Sequence, residues 1–135
     1  MTELKIIKDS KTLLRTIQKY KLKIKIIIAP TIRDSNGLAY SSRNYFLDKK
    51  QKKIASFLFK IIKEISFLAK KNLKSLNNLE IIGKKKLINK GFNKIDYLEI
   101  YNENNLSKKN IKENNLRVFA AVNLGKTRLI DNFKN

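Results

Sequence analysis

The sequence predicts an α+β domain, a small antiparallel sheet packed on two or three helices and preceded by a short helix and a strand. Two patterns carry that expectation. Apolar residues recur at intervals of three and four from Ile54 to Leu68, the period of a helix with one buried face. After Gly91, short β-branched and aromatic runs alternate with polar turn residues, the pattern of strands.

Taken in order, Asp9 or Ser10 is a candidate cap for a short helix carrying Leu13, Leu14 and Ile17 on one face. Residues 22 to 29 alternate lysine with apolar side chains and then become wholly apolar, as in a strand running from an edge to the interior, and Pro30 ends it. After a polar loop, Asp48 and Gln51 have the spacing of a capping box. They open a long helix whose stripe is Ile54, Phe57, Leu58, Ile61, Ile62, Ile65 and Leu68. A second helix is expected over 76–90, with Leu79, Ile82, Leu87 and Ile88 facing inward and Lys84, Lys85 and Lys86 near its negative end. Gly91 is its stop. Strands near 95–101, 117–123 and 127–131 complete the sheet. The polar residues 102–115 between the first two read as a mobile loop without a catalytic constellation.

Composition excludes several chemistries. With no cysteine in 135 residues, a disulfide framework, thiolate catalysis and a zinc–thiolate site are ruled out. No signal sequence or long apolar run is present, so a cytoplasmic protein without membrane association is expected. The net charge of +20 suggests nucleic acid, because clustered cations release counterions from a phosphate backbone. Yet Lys84 to Lys86, the group Lys49, Lys50, Lys52 and Lys53, and the alternating Lys19, Lys21, Lys23 and Lys25 fall on different elements, and only five of the 31 basic residues are arginine. Abundant Lys, Ile and Asn also follow from AT-rich coding sequence. The expectation is therefore weak, salt-sensitive, non-specific binding and no specific nucleic-acid site.

The chemistry concentrates in Asn36-Gly37-Leu38-Ala39-Tyr40-Ser41-Ser42-Arg43-Asn44. A guanidinium is a planar fork of donors that matches phosphate oxygens, and Ser41 and Ser42 add hydroxyl donors. Alone, this stretch also fits a turn that opens a helix. Neither GxGxxG nor GxxxxGK[ST] occurs, and there is no histidine. Asp96 with Glu99, and Asp131 with Arg128, could be cast as acid–base pairs, but surface ion pairs or strand-end contacts explain them as well. Arg33 could reach a nucleotide, or pair with Asp34 or Glu99.

A wider window adds a family. Residues 28 to 44, from Ile28-Ala29-Pro30-Thr31-Ile32-Arg33 to Ser41-Ser42-Arg43-Asn44, resemble the "VPTxRxxDGLAxSSRNxYL" signature of the pantothenate synthetases, the pantoate–beta-alanine ligases. Gly91-Phe92-Asn93-Lys94-Ile95-Asp96-Tyr97-Leu98-Glu99-Ile100 resembles that family's "GFxxDYxEIRD" strand. Ala120-Ala121-Val122-Asn123-Leu124-Gly125-Lys126-Thr127-Arg128-Leu129-Ile130-Asp131-Asn132 resembles its "AAxLGxTRLIDN". Asn36 replaces the usual aspartate, Tyr40 a Met or Leu, and Tyr45-Phe46 an Arg-Tyr.

The resemblance implies ATP-dependent condensation of pantoate with beta-alanine through a pantoyl adenylate, with ATP and Mg²⁺ as cofactors and these small molecules as partners. It implies ATP contacts at Ile32 (by its backbone, near the base), Tyr40, Ser41, Ser42 and Arg43. Arg43 and Ser41 would act in catalysis, Arg43 on the β- and γ-phosphates, and no metal ligand is expected from the chain. It also implies that residues 32–135 form the family's C-terminal lid domain and residues 1–31 a helix–strand remnant of its nucleotide-binding domain. The family's "PTMGxLHxGH" loop, whose histidines hold ATP, has no counterpart here, nor do the glutamines that hold pantoate. One alignment of Leu4 to Ile17 matches the family's extreme N-terminus and implies an internal deletion joining two Pro-Thr sites. A competing one sets Lys8-Asp9 on a "GxKDxQQ" motif. The missing half is then either lost or carried by another chain. Two alternatives stand beside the ligase, a non-catalytic remnant of it and a basic nucleic-acid-binding module.

Overall fold

The computed structural model describes residues 12–24 and 29–135. The expected cap at Asp9 or Ser10, the Lys8-Asp9 pair and residues 25–28 of the strand expected over 22–29 lie outside the described residues, and residues 22–24 and 29 are not in a strand. Helix α1 covers 12–19. Leu13 and Leu14 on it are exposed and Ile17 is half-buried, so the face expected to turn inward is largely open to solvent. An apolar spacing specifies a face, not its partner.

A 3-10 turn, Ser42–Phe46, leads into the long helix α2, Lys49–Lys71; a second 3-10 turn, Leu73–Ser75, leads into α3, Leu76–Lys90. Three strands follow, β1 (Lys94–Asn102), β2 (Leu116–Leu124) and β3 (Thr127–Phe133). They form one antiparallel sheet in the order β1-β2-β3, with α2 against β2 and β3 and α3 against β1. The predicted architecture is the one observed.

The capping box forms as its spacing predicts. The Asp48 carboxylate accepts from Gln51 N at 2.7 Å while the Gln51 side chain accepts from Asp48 N at 3.1 Å. Two of the donors that a helix start leaves unpaired are thereby satisfied. At the other end of the helical pair, Gly91 closes α3 in the left-handed conformation, φ 109°.

Leu58, Ile62 and Ile65 of α2, Leu87 of α3, Leu98 and Ile100 of β1, and Val118 and Val122 of β2 are fully buried together. Each contributes roughly 1.5–3 kcal/mol relative to exposure. Ile61 is also buried, with Ile54 and Phe57 packed at the margin. Leu68 is exposed, and the small Ala55, Ser66 and Ala69 take inward positions where α2 meets its neighbours closely. On α3 the inward residues are Leu79, Glu80, Gly83 and Leu87, whereas Ile82 and Ile88 are exposed. The stripe runs in steps of four through a glycine that an apolar-periodicity count passes over.

Glu80 is the buried acid of α3. Its carboxylate accepts from Ile100 N at 2.8 Å and from Lys108 Nζ. Lys108 belongs to the segment 102–115, which is held rather than loose. Glu103 N donates to Asn115 O, Leu106 N to Asn102 O, and the Asn102 and Asn115 amides both donate to Asn110 O. Asparagines that looked like loop filler satisfy the backbone of a compact excursion.

Gly83 supports a direct test. A Cβ there would lie 2.8 Å from Leu98 Cδ1 and 3.1 Å from Ile65 Cγ1. Alanine is the better helix former by about 1 kcal/mol, but overpacking typically costs about 1–3 kcal/mol. Gly83→Ala is therefore expected to lower the midpoint of urea unfolding, and a higher midpoint would show that α3 can move off β1 at little cost.

Candidate functional site

The site is built on a tight hairpin before α2. The Asp34 carboxylate accepts from Asn36 N at 2.8 Å and Leu38 N at 3.0 Å, while Asp34 N donates to Leu38 O and Gly37 N to Asp34 O. Gly37 has φ +89°, and a Cβ there would sit 2.8 Å from the Phe59 ring. Glycine is required both by the turn and by the approach to α2. Opposite the turn, Arg33 and Ala39 form an antiparallel bridge, and Tyr40 N donates to Ile32 O at 3.0 Å. Ile32 and Tyr40 thus stand side by side, both exposed.

Arg33 ties this hairpin to the sheet. Its two terminal nitrogens donate to both carboxylate oxygens of Asp131 on β3, at 2.6 and 2.7 Å, and its guanidinium carbon lies 3.8 Å from the centre of the Phe59 ring. Nη1 also donates to Gly37 O at 3.1 Å. The ion pair that Arg33 makes is with Asp131, not with Asp34 or Glu99. Burial pushes the Asp131 carboxyl above its ordinary value, and the Arg33 bonds offset only part of that.

The next residues form the Ser42–Phe46 turn. Ser41 is its cap, with Oγ accepting from Arg43 N at 3.3 Å, and the Asn44 amide donates to Ala39 O at 3.0 Å. Arg43 turns toward β3, where Nη1 donates to Arg128 O at 3.4 Å. A cavity of about 170 Å³ lies between hairpin, turn and β3, lined by Thr31, Tyr40, Ser41, Arg43, Asn44 and Asp131 among others. Asn44 Oδ1 is buried without a hydrogen-bond partner among the described residues. On the other side of the turn, Tyr40, Ser41, Ser42 and Lys52 line a wider cleft of about 590 Å³. Arg43 also borders a third, of about 770 Å³, against the β2–β3 turn.

Tyr40, Ser41 and Arg43 are therefore brought together at one cavity, Ser42 lies across the turn from it, and Ile32 joins through its backbone bond to Tyr40. Sequence reasoning missed Lys52 and Lys126 as neighbours of this turn; no local pattern joins residues on three separate elements. The acid–base pairings also dissolve. Asp131 belongs to Arg33, Arg128 Nε donates to Asp96 at 2.6 Å, and Glu99 accepts from the Tyr101 hydroxyl. Arg128 holds the Asp96 carboxyl below the usual aspartate range. Among the described residues no group of three acidic side chains is placed to hold a metal ion, and no helix is long and apolar enough to cross a membrane.

Comparison with known proteins decides the lineage. The family model for pantoate–beta-alanine ligase matches residues 5–134. The chain belongs to that family. It is 43% identical over 122 residues to the pantothenate synthetase of Buchnera aphidicola from Acyrthosiphon pisum, and 33% identical over 116 residues to that of Hydrogenovibrio crunogenus. These alignments cover 87% and 86% of the chain but 41% of each relative. The chain thus spans well under half the length of the pantoate–beta-alanine ligases it matches. A pantothenate synthetase structure from Thermus thermophilus superposes with a TM-score of 0.75 at 26% identity, over 89% of this chain and 43% of that one. The ligase from Francisella tularensis, in a complex with beta-gamma ATP and beta-alanine, superposes with a TM-score of 0.57 at 29% identity, over 90% and 38%.

Two measurements follow from the ion pairs. Asp131→Asn leaves the buried Arg33 charge unpaired and is expected to cost about 3–5 kcal/mol in denaturant unfolding; a loss below about 1 kcal/mol, on the order of a surface pair, would show the pair to be incidental. Asp96 titrates with the opposite sense to Asp131. Because its folded-state pKa lies below the ordinary 3.8, its stabilising contribution is present above that value and lost as pH falls through the lowered one. The stability difference between the parent and Asp96→Asn is expected at neutral pH and should vanish in acid, and a difference independent of pH would contradict this.

Proposed function

We propose that this chain is the phosphate-gripping C-terminal part of a pantoate–beta-alanine ligase and works in ATP-dependent condensation of pantoate with beta-alanine. The observation that carries the reading is Arg43, which has no carboxylate partner among the described residues, is held by Ser41 and the Arg128 carbonyl, and borders two clefts. In the reaction a carboxylate oxygen of pantoate attacks the α-phosphorus of ATP, the bond to the β-phosphate oxygen breaks, and pyrophosphate leaves. The amine of beta-alanine then displaces AMP from the acyl carbon. Negative charge grows on the leaving pyrophosphate, and fixed donors aimed at that charge lower the barrier without a covalent enzyme intermediate.

In this reading Arg43 meets the β- and γ-phosphates, Ser41 and Ser42 donate to phosphate oxygens, and the Ile32 backbone and Tyr40 flank the base. The donors suit phosphate, being a guanidinium, two hydroxyls and the nearby Lys52. Mg²⁺ would be carried in on the nucleotide's oxygens, where it neutralises phosphate charge. Residues 32–135 act as a lid and residues 1–31 belong with the nucleotide-binding part, in a cytoplasmic enzyme. The Francisella complex with beta-gamma ATP supports nucleotide use by a relative of this fold.

The test is pantoate-dependent exchange of labelled pyrophosphate into ATP with Mg²⁺ by the purified chain, beside Arg43→Ala. Exchange that falls by about 10²–10³ in the variant, the usual cost of one preorganised donor, is the expected result. A folded chain without exchange would leave in its place a remnant, or a half-enzyme that needs the missing part from another polypeptide.

A further inference from the structure

A cleft of about 390 Å³ opens between α2 and α3, lined by Phe57, Lys60, Ile61, Glu64, Lys86 and Lys90 among others. It belongs to a different side of α2 from the hairpin site. Phe59 meets Gly37 and Arg33, whereas Phe57, two residues earlier, borders α3. The floor is apolar, formed by the half-buried Phe57 and the buried Ile61.

Two ammoniums are held to that floor. Lys60 Nζ lies 5.2 Å and Lys90 Nζ 4.4 Å from the centre of the Phe57 ring, so a single ring fixes both. Neither lysine has an ion pair among the described residues, whereas Lys86 is neutralised by Glu64. Leu68 follows Glu64 by four residues and Ile82 precedes Lys86 by four, so each continues its helix face by one turn beyond the cleft. Apolar spacing predicts both inward, yet they are 39% and 41% exposed. The apolar stripe is thus wider than the core uses, and the surplus lies beside two uncompensated cations.

Charge decides what fits there. A second copy is a poor match, because the chain carries +20 with only 11 acids, and Glu80, Asp96, Glu103 and Asp131 are already paired. A flat anionic surface would meet ridges rather than the cleft and would press against Glu64. An acidic amphipathic helix suits both features. Acids three or four residues apart on a helix stand about 5–6 Å from each other, so one turn offers a carboxylate to each ammonium. Apolar residues on the same face then cover Leu68 and Ile82.

We propose that the α2–α3 cleft is a docking groove for an acidic amphipathic helix of a different polypeptide, anchored by Lys60 and Lys90 and seated on Phe57, Leu68 and Ile82. The proposal does not depend on the role of Arg43.

The probe is a synthetic helical peptide with leucine at i and i+7 and glutamate at i+3 and i+4, titrated calorimetrically into the whole chain. Beside it stand the same residues in scrambled order, polyglutamate, and vesicles of phosphatidylglycerol and phosphatidylcholine in equal parts. Lys60→Glu and Lys90→Glu test the anchors, and Lys112→Glu makes the same charge change on the exposed part of the 102–115 excursion. Thermal melts check that each variant is folded. The patterned peptide is expected to bind more tightly than the other three probes and to shift amide resonances of α2 and α3 around the cleft. Its affinity should fall about tenfold or more in each anchor variant, the scale of one charge-assisted hydrogen bond, and change little in Lys112→Glu. Equal losses in all three variants, or scrambled peptide or polyglutamate binding as tightly, would mean diffuse attraction by a basic chain and would overturn the proposal. Resonance shifts centred on the Ser42–Phe46 turn would overturn it as well, as would a parent chain that binds no patterned peptide. Vesicle binding that is tighter than peptide binding and is lost in the anchor variants would assign the face to a membrane surface instead.

Discussion

The bidentate bond between Arg33 and Asp131 is the constraint on which the rest of the site depends. It joins residues 98 positions apart, the start of the hairpin to the last strand, and both partners are largely out of water. Such a pair recovers its desolvation cost only if its remaining donors and acceptors are used. Here Arg33 also donates to Gly37 O and stacks on Phe59, while Asp131 accepts from Asn132 N. Asp34 shapes the turn that Arg33 anchors, and the anchored turn presents Tyr40, Ser41 and Arg43 to β3. Arg43 has no carboxylate of its own among the described residues to fix it, so its place is inherited from Arg33.

Local rules in the sequence were enough for elements and too little for partners. Asp48 and Gln51 interact three residues apart, and Gly91 answers to its own backbone, so the helix ends were readable. The strands were readable because their apolar runs are bounded by turns. Arg33, Arg128, Asp96 and Asp131 could each be paired in several ways; the register of the three strands brings Arg128 to Asp96, and the hairpin closed by the Arg33–Ala39 bridge brings Arg33 to Asp131. The site was legible as a run, Tyr40 to Arg43, because those residues are contiguous. Lys52, Gln51 and Lys126 were not, because they come to the same turn from two further elements.

The same distinction bears on the charge of +20. Net charge sets the long-range field and hence the rate of encounter with anions, but it chooses no ligand. A nucleic-acid surface would need its cations in a continuous stripe. The lysine triplet of α3 partly spends its charge within the fold, where Lys86 pairs with Glu64, and Lys108 is taken up by Glu80. Around the Ser42–Phe46 turn Arg128 is paired with Asp96, but Arg43, Lys52 and Lys126 have no carboxylate partner among the described residues and stand in company with hydroxyls. That local excess, not the total, is what favours phosphate chemistry over a general affinity for polyanions.

How strongly Arg43 acts depends on water. In an open cleft its attraction for phosphate is weakened by the solvent dielectric, and in a closed one the same geometry is worth several times more. The clefts beside the turn are bounded on one side by this chain's hairpin, helix and strand, and the relatives it matches carry more than half their length outside the aligned region. Charge recognition can therefore reside in this chain by itself, because binding a diphosphate needs only the donors. Rate acceleration needs those donors under exclusion of water as well, and it rises with whatever surface covers the Arg43 side of the turn. Binding and catalysis are thus separable properties of this site, and the first is the one that Arg43 and its neighbours can supply unaided.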